Sequence, residues 1–316
     1  MKKHRILITG GAGFIGTHLA ERFCERHKVV LYDNLRRNSL KDAPLLRRHR
    51  NVKFIKGDIL DKKRLEAAAK SCNIIIHLAA IAGVSNYYKD PTETLRVNII
   101  GTINLLEICR KHRISKFIYF STSEVYGKKA IKVNEESIYK IGPISDYRWS
   151  YAISKIAGEN LVVRYGEKYG FKAFLVRPFN IYGPRQTGEG AISNFLRSVA
   201  NGQQIIINGN GSAIRAWCYI DDCIDAVEAL IRKKGIKSGA FNIGNPGQAC
   251  STLELARLVK KVTGGRVPIV FKKMKRTEIA ITIPDTKKAK RLIGFDPKIG
   301  LKEGLKLSYR YYEKTR

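Results

Sequence analysis

The stretch LITGGAGFIGTHLAERF, residues 7–23, constrains this chain more than any other, because four glycines crowd seven positions between an apolar run and an amphipathic one. Ile6-Leu7-Ile8 is short and rich in β-branched residues, like a buried strand, while Phe14, Ile15, Leu19 and Phe23 recur at helical spacing. The stretch reads as strand, tight turn, helix. Its spacing, Gly10-x-x-Gly13-x-x-Gly16, leaves room for a dinucleotide pyrophosphate against the first helical turn, where backbone N–H groups lack partners. A glycine-rich turn alone is weak evidence for a ligand. The next run, KVVLYDN, adds a second strand that ends in Asp33, 17 residues after Gly16. That is close to the roughly 20-residue offset at which a carboxylate meets the ribose hydroxyls of NAD. Asp33 would repel the 2′-phosphate of NADP, whereas Arg36 and Arg37 just beyond it pull the other way.

Further strand-like runs end near Ile55, His77, Phe120 and Val176, with amphipathic segments between them. Such alternation specifies an α/β protein with a doubly wound parallel sheet, whose ligands gather at the carboxyl ends of the strands. From Arg177 the texture changes to the turn-rich RPFNIYGPRQTGEG, and CYIDDCIDAVEALI and AFNIGN then return to strand-and-helix patterning. The expected division is a dinucleotide-binding domain over 1–176, with a returning segment at about 215–243, and a smaller, interleaved substrate domain over 177–316.

A hydrophobic fraction of 44% over 316 residues is enough for a substantial core. No apolar run approaches the ~20 residues that span a bilayer, and the N-terminus enters a strand without the apolar core of a signal peptide, which predicts a cytoplasmic protein with no membrane partner. Cys24, Cys72, Cys109, Cys218, Cys223 and Cys250 show no C-x-x-C pair and no metal-like grouping with histidine, so reduced thiols and no metal site are expected. The net charge of +32 favours encounters with polyanions and phosphorylated substrates. Its lysines and arginines are nonetheless spread through LRRHR, CRKHR, RKKGIK, FKKMKR and TKKAKR without a nucleic-acid module, so weak, salt-sensitive binding is expected and specific nucleic-acid recognition is not.

YAISK sets Tyr151 and Lys155 four apart, on one helical face. An ammonium near a phenol favours the phenolate and brings a pKa of ~10 towards the range of a general base. In YFSTSEVYG a strand ends in Ser121, Thr122 and Ser123, hydroxyls able to hold a substrate oxygen, followed by Glu124. A non-catalytic dinucleotide sensor, or a protein docked on RNA, has no need of Thr122, Tyr151 and Lys155 together; an enzyme does.

With TGGAGFIG, DN, GDI, HLAA, TSEVYG, YAISK, RPFNIYGPRQ and RAWCYIDD in order over nearly the whole chain, the sequence resembles the extended short-chain dehydrogenases/reductases, in their NAD-dependent nucleotide-sugar epimerase/dehydratase branch. The resemblance implies a catalytic set of Thr122, Tyr151 and Lys155, joined by Glu124. It places NAD on Gly10, Gly13, Phe14, Ile15 and Gly16, on Asp33 and Asn34, and on Asp58 and Ile59. Leu78, Ala79, Ala80 and Asn98 complete that site with Tyr151 and Lys155, and Pro178 and Phe179 flank the nicotinamide. Ser123, Asn180, Arg185, Arg215, Arg276 and Glu278 fall at positions that hold the nucleotide-diphosphate sugar, and arginine forks suit a pyrophosphate. Apolar residues on the 92–112 and 151–169 segments (Leu95, Ile99, Ile103 and Leu106; Ile153, Ala157 and Leu161) imply by the same resemblance a homodimer built on a four-helix interface.

The implied chemistry removes a hydride from C4 of a sugar and forms a 4-keto sugar, which is then inverted, decarboxylated or dehydrated. Family dehydratases carry an acid before the glutamate, where this chain has Ser123, a poor proton donor. TSEVYG and the tail PDTKKAKRLIGFDPK resemble UDP-glucuronate decarboxylases, while HLAAIAGVSNYYKDP resembles the loop of 4-epimerases. On these residues UDP-sugar 4-epimerisation ranks first, UDP-glucuronate decarboxylation second and 4,6-dehydration third.

Overall fold

A computed structural model describes residues 3–273 and 276–315. Its first elements are β1 (Arg5–Thr9), α1 (Phe14–Cys24), β2 (Lys28–Asp33), α2 (Pro44–Arg48), β3 (Val52–Lys56), α3 (Lys62–Ala69), β4 (Ile74–His77), α4 (Val84–Lys89), α5 (Pro91–Lys111) and β5 (Lys116–Phe120). Then come β6 (Lys129–Val133), α6 (Trp149–Tyr169), β7 (Lys172–Pro178), β8 (Ile181–Tyr182), α7 (Ala191–Ala200), β9 (Ile205–Asn208), β10 (Ile214–Ala216), β11 (Cys218–Tyr219) and α8 (Ile220–Arg232). The chain ends with β12 (Gly239–Ile243), β13 (Ala249–Ser251), α9 (Thr252–Thr263), β14 (Ile269–Lys272), β15 (Ile281–Pro284), α10 (Lys287–Ile293) and α11 (Leu301–Lys314).

Two compact units divide these elements. The first comprises Met1–Val125, Ile141–Arg177 and Val227–Phe241. Seven strands form its sheet in the order β12-β7-β5-β4-β1-β2-β3. Every pairing from β7 to β3 is parallel. The winding reverses between β1 and β4, so their carboxyl ends open the crevice where such sheets bind ligands. Helices cover both faces, which is why Ile6, Leu7 and Ile8, and Ile74, Ile75 and Ile76, run apolar without alternation and are fully buried. This doubly wound α/β fold is the one the strand spacing predicts.

The second unit comprises Tyr126–Lys140, Pro178–Ala226 and Asn242–Arg316. It holds a four-stranded sheet, β13-β10-β15-β6, and two strand pairs, β11-β8 and β14-β9. Residues 126–140, assigned to the first domain on sequence, belong here because β6 pairs in parallel with β15. The segment that returns to the first unit begins at Val227, not near 215. Both differences arise from pairings between strands far apart in sequence, which carry no local signal.

In the first unit α6 is locked to β7 by a buried ion pair. Arg177 donates from Nε and Nη2 to the two oxygens of Glu159, at 2.9 and 2.7 Å. On the proposed interface stripe, Leu95, Ile99, Ile103, Ile153, Ala157 and Leu161 are half-buried, but Leu106 is fully buried and belongs to the core of the unit. Among the described residues no helix is long and apolar enough to cross a membrane. Because breaking a buried ion pair strands a charge, Arg177→Met should lower the unfolding free energy by about 3–5 kcal/mol, and adding Glu159→Met should recover most of it. Chemical denaturation of the single and double variants measures both; equal stability of Arg177→Met and wild type would contradict the lock.

Candidate active site

Gly10 leaves β1 with φ 70° and its N–H donates to the Tyr32 carbonyl at 2.9 Å. A Cβ there would meet Ala79 N at 2.7 Å, and one on Gly16 would meet the Gly10 carbonyl oxygen at 2.5 Å. The turn closes only without side chains at these two positions. Gly13, the N-cap of α1, provides no side-chain cap, and the first turn carries no acidic residue, so its N–H groups suit an anion. Asp33 is buried, with Oδ2 accepting from Ala12 N at 3.1 Å and Oδ1 from Leu35 N at 2.7 Å. Burial pushes its carboxyl up, and these two backbone bonds oppose that rise. The carboxylate therefore fixes the glycine turn while retaining lone pairs for ribose hydroxyls.

Beside it, Asn34 donates to Asp58 Oδ2 at 3.2 Å, and Asp58 Oδ1 accepts from Leu60 N at 2.9 Å. Arg36 reaches Asn86 Oδ1 at 3.2 Å and Arg37 the Ala82 carbonyl at 2.7 Å. Both arginines are thus tied to the segment containing α4, which weakens the case for a 2′-phosphate. Gly13, Phe14, Ile15, Leu78, Ala79 and Ala80 line the turn and the end of β4 half-buried, while Ile59 is buried. Asn98 accepts from Ile81 N at 2.8 Å and donates to Ile81 O and Ser154 Oγ, so its amide protons are committed to protein.

Thr122 and Ser123 lie just beyond the end of β5 with little exposure, and Thr122 Oγ1 accepts from Glu124 N at 3.2 Å. Tyr151 and Lys155 occupy one face of α6, where Lys155 Nζ donates to the Phe120 carbonyl at 2.8 Å and lies 5.9 Å from the Tyr151 ring centre. Burial lowers the Lys155 amine to about 7, against a smaller opposing effect from Glu159. Tyr151 as a whole residue is half-buried, yet burial around its hydroxyl raises the phenol, and the Glu124 carboxylate raises it further. A hydrogen bond from Thr122 and the charge of Arg37 oppose this more weakly. The expected fall of the phenol towards neutrality is therefore not a property of the protein alone. Desolvation dominates, and burial disfavours the charge on the neighbouring amine as well.

Two residues that the sequence reading passed over shape this site. Arg148 Nη2 lies 3.4 Å from Glu124 Oε2, both largely buried, and Tyr87 stacks on Tyr151 with centres 5.7 Å apart. Arg148 was detectable, because RWSY puts it three residues before Tyr151, one turn away on the same helical face. Cys24, Glu25 and His49 also gather ligand atoms within 4.8 Å, a grouping that residues 25 apart conceal. His49 Nδ1, however, accepts from Asn51 N, which leaves the proton on Nε2, the nitrogen facing Glu25.

The second unit carries the remaining candidates. Arg215 donates to the Ile214 and Ile279 carbonyls at 2.9 and 2.6 Å, and Asn180, at φ 44°, to Ala216 O at 3.2 Å. Arg185 also has a positive φ, 63°; Arg276 is exposed and Glu278 half-buried. Pro178 is half-buried, but the Phe179 ring is fully buried and stacked on Tyr126, and its backbone N–H donates to the Ile243 carbonyl at 2.8 Å.

A doubly wound sheet with a glycine turn, a buried carboxylate at the end of β2 and a Tyr/Lys helix defines a dinucleotide-dependent enzyme class. Residues 6–244 match the NAD dependent epimerase/dehydratase family, and the chain belongs to it. It is accordingly an enzyme that uses NAD. It is 34% identical to a UDP-N-acetyl-alpha-D-glucosaminuronate decarboxylase of Bacillus cytotoxicus over 98% of both chains. The solved UDP-glucuronic acid 4-epimerase of Bacillus cereus, in complex with UDP-glucuronic acid and NAD, is 31% identical, with TM-score 0.91 over 99% of this chain and 100% of that one. The UDP-glucose 4-epimerase of Thermotoga maritima is 32% identical, with TM-score 0.89 over 98% and 99%.

The Lys155 amine has a checkable consequence for stability. Its folded value of about 7 lies below the ordinary 10.5, so between these limits the unfolded chain binds the extra proton and stability rises with pH. Below that window both states are protonated and the fold bears the cost of a buried ammonium. The melting temperature of cofactor-free wild type, relative to Lys155→Met, should climb from pH 7 to 10.5; a constant difference would mean the amine stays charged.

Proposed function

We propose that this chain acts on a UDP-linked hexuronic acid by oxidising C4, releasing CO2 from the resulting β-keto acid and reducing C4 again. NAD, when bound, supplies the hydride acceptor and a positive charge beside Tyr151. Tyr151 takes the proton of the C4 hydroxyl, Thr122 and Ser123 hold the C4 oxygen, and Lys155 tunes the phenol from its place on α6. When the bond from C5 to the carboxylate carbon breaks, its electrons pass into the C5–C4–oxygen system, and a proton must then reach C5. Tyr151 returns its proton to the C4 oxygen at the end.

The observation that carries this reading is the Glu124–Arg148 pair beside Tyr151. The arginine makes the site tolerant of a substrate carboxylate, and the glutamate orients the proton source for C5. Ketone inversion requires no such group, and Ser123 is too weak an acid to expel a C6 hydroxyl. Full-length likeness to a decarboxylase supports the same choice. A second reading, 4-epimerisation, ranks first on sequence and is supported by likeness to two solved 4-epimerases. In both, Arg185, Arg215, Arg276, Asn180 and Glu278 of the second unit hold the nucleotide.

Mass and NMR analysis of products from UDP-glucuronate and its N-acetylated counterpart separates these outcomes. The expected product is a UDP-pentose, and Glu124→Gln should slow its formation by about 10²-fold or more. Inversion at C4 with the carboxylate retained would instead establish the epimerase, and a 4-keto-6-deoxy sugar from UDP-glucose would overturn the argument from Ser123.

A further inference from the structure

The catalytic-helix tyrosine is matched by a second tyrosine from an unrelated element. Helix α4 presents two consecutive tyrosines. Tyr87, 1% exposed, lays its ring on that of Tyr151 at an interplanar angle of 13°. Tyr88 donates from its hydroxyl to Asp146 Oδ1 at 2.9 Å, and the same oxygen accepts from Arg148 N at 3.1 Å, at the entry to α6. The side chain of Arg148, the N-cap of α6, caps no backbone N–H, and the carbonyl of the same Asp146 that Tyr88 holds accepts from Trp149 N at 3.1 Å, so α4 restrains the residue on which the first turn closes. Arg36 and Arg37 in turn tie α4 and the residues before it to the loop that follows Asp33.

We infer that Tyr87 is a positioning residue for Tyr151: its ring fixes the orientation of the base and keeps the phenol protonated until the site is loaded. Two near-parallel aromatic rings have few alternative arrangements within a buried site, so the stack selects one rotamer of Tyr151. An electron-rich face against the phenol disfavours the phenolate, and the buried ring keeps water from one side of it. The groups facing Tyr151 from the packed elements are Glu124, Thr122, Lys155, Arg37 and the buried Tyr119. Of these, Lys155 and Arg37 favour the anion and Glu124 opposes it. The stack adds to the opposition without adding charge, so its effect on the base is independent of ionic strength.

This inference rests on the reading of Tyr151 as the base. Its test uses the NAD-loaded protein with Tyr87→Phe, which keeps the stack, and Tyr87→Leu, which keeps apolar volume and removes the ring. Tyr87→Met gives the same readout should leucine not be accepted. Phenolate absorbance of each variant, titrated over roughly pH 6 to 10 against the same variant carrying Tyr151→Phe, needs no substrate and isolates the one phenol. Turnover of UDP-glucuronate then gives kcat and KM. Tyr87→Phe should keep kcat within about twofold, while Tyr87→Leu should lose about tenfold or more in kcat with KM little changed. The phenol of Tyr87→Leu should titrate at lower pH. Wild-type kcat and titration in Tyr87→Leu would overturn the inference, as would a loss in Tyr87→Phe as large as in Tyr87→Leu. Full turnover by Tyr151→Phe alone would instead sink the assignment of the base, which distinguishes the two failures.

Discussion

The site depends first on how closely β1 and β4 approach at their carboxyl ends. Gly10 turns with its Cα facing the backbone of Leu78 and Ala79, and Gly16 faces back onto the carbonyl of Gly10, with space for hydrogen atoms and no more. Any larger residue would push β4 aside or unwind the first turn of α1. The N–H groups of that turn would then lose the geometry that suits a diphosphate. Asp33 reinforces the same turn from β2, since its two oxygens hold Ala12 N and Leu35 N. One carboxylate thus fixes the shape of the loop from the neighbouring strand.

The second dependence is on α6, which carries Tyr151, Lys155 and Glu159 at successive turns. Glu159 is pinned by Arg177, Lys155 by the carbonyl of Phe120, and Tyr151 by Tyr87, so each turn has its own anchor on a different element. Burial of this helix face raises the Tyr151 phenol and lowers the Lys155 amine. Burial alone would make Tyr151 a poor base.

What could be seen in the sequence was what repeats at short range. Strand ends, the glycine turn and the Tyr/Lys interval all follow from spacings of two to four residues, and the parallel sheet follows from their alternation. The exchange of 126–140 into the second unit could not be seen, because β6 finds its partner β15 about 150 residues later (129 against 281). Nor could the stack of Tyr87 on Tyr151, residues from different helices with no shared period. Asn98 and Phe179 stand apart for another reason. Their resemblance to family positions implied ligand contact, yet one amide is already satisfied by Ile81 and Ser154 and one ring is sealed against Tyr126. Motif identity locates a backbone position; hydrogen bonding and burial decide what its side chain still has to offer.

The central claim is that C4 of a UDP-linked sugar gives up its hydrogen and receives the same hydrogen back. UDP-glucuronate carrying deuterium at C4, incubated with the NAD-loaded protein in ordinary water, tests it most directly. The account predicts a product that keeps the deuterium at C4, whether the carboxylate is lost or the carbon inverted. Washout of the C4 deuterium into solvent would contradict it.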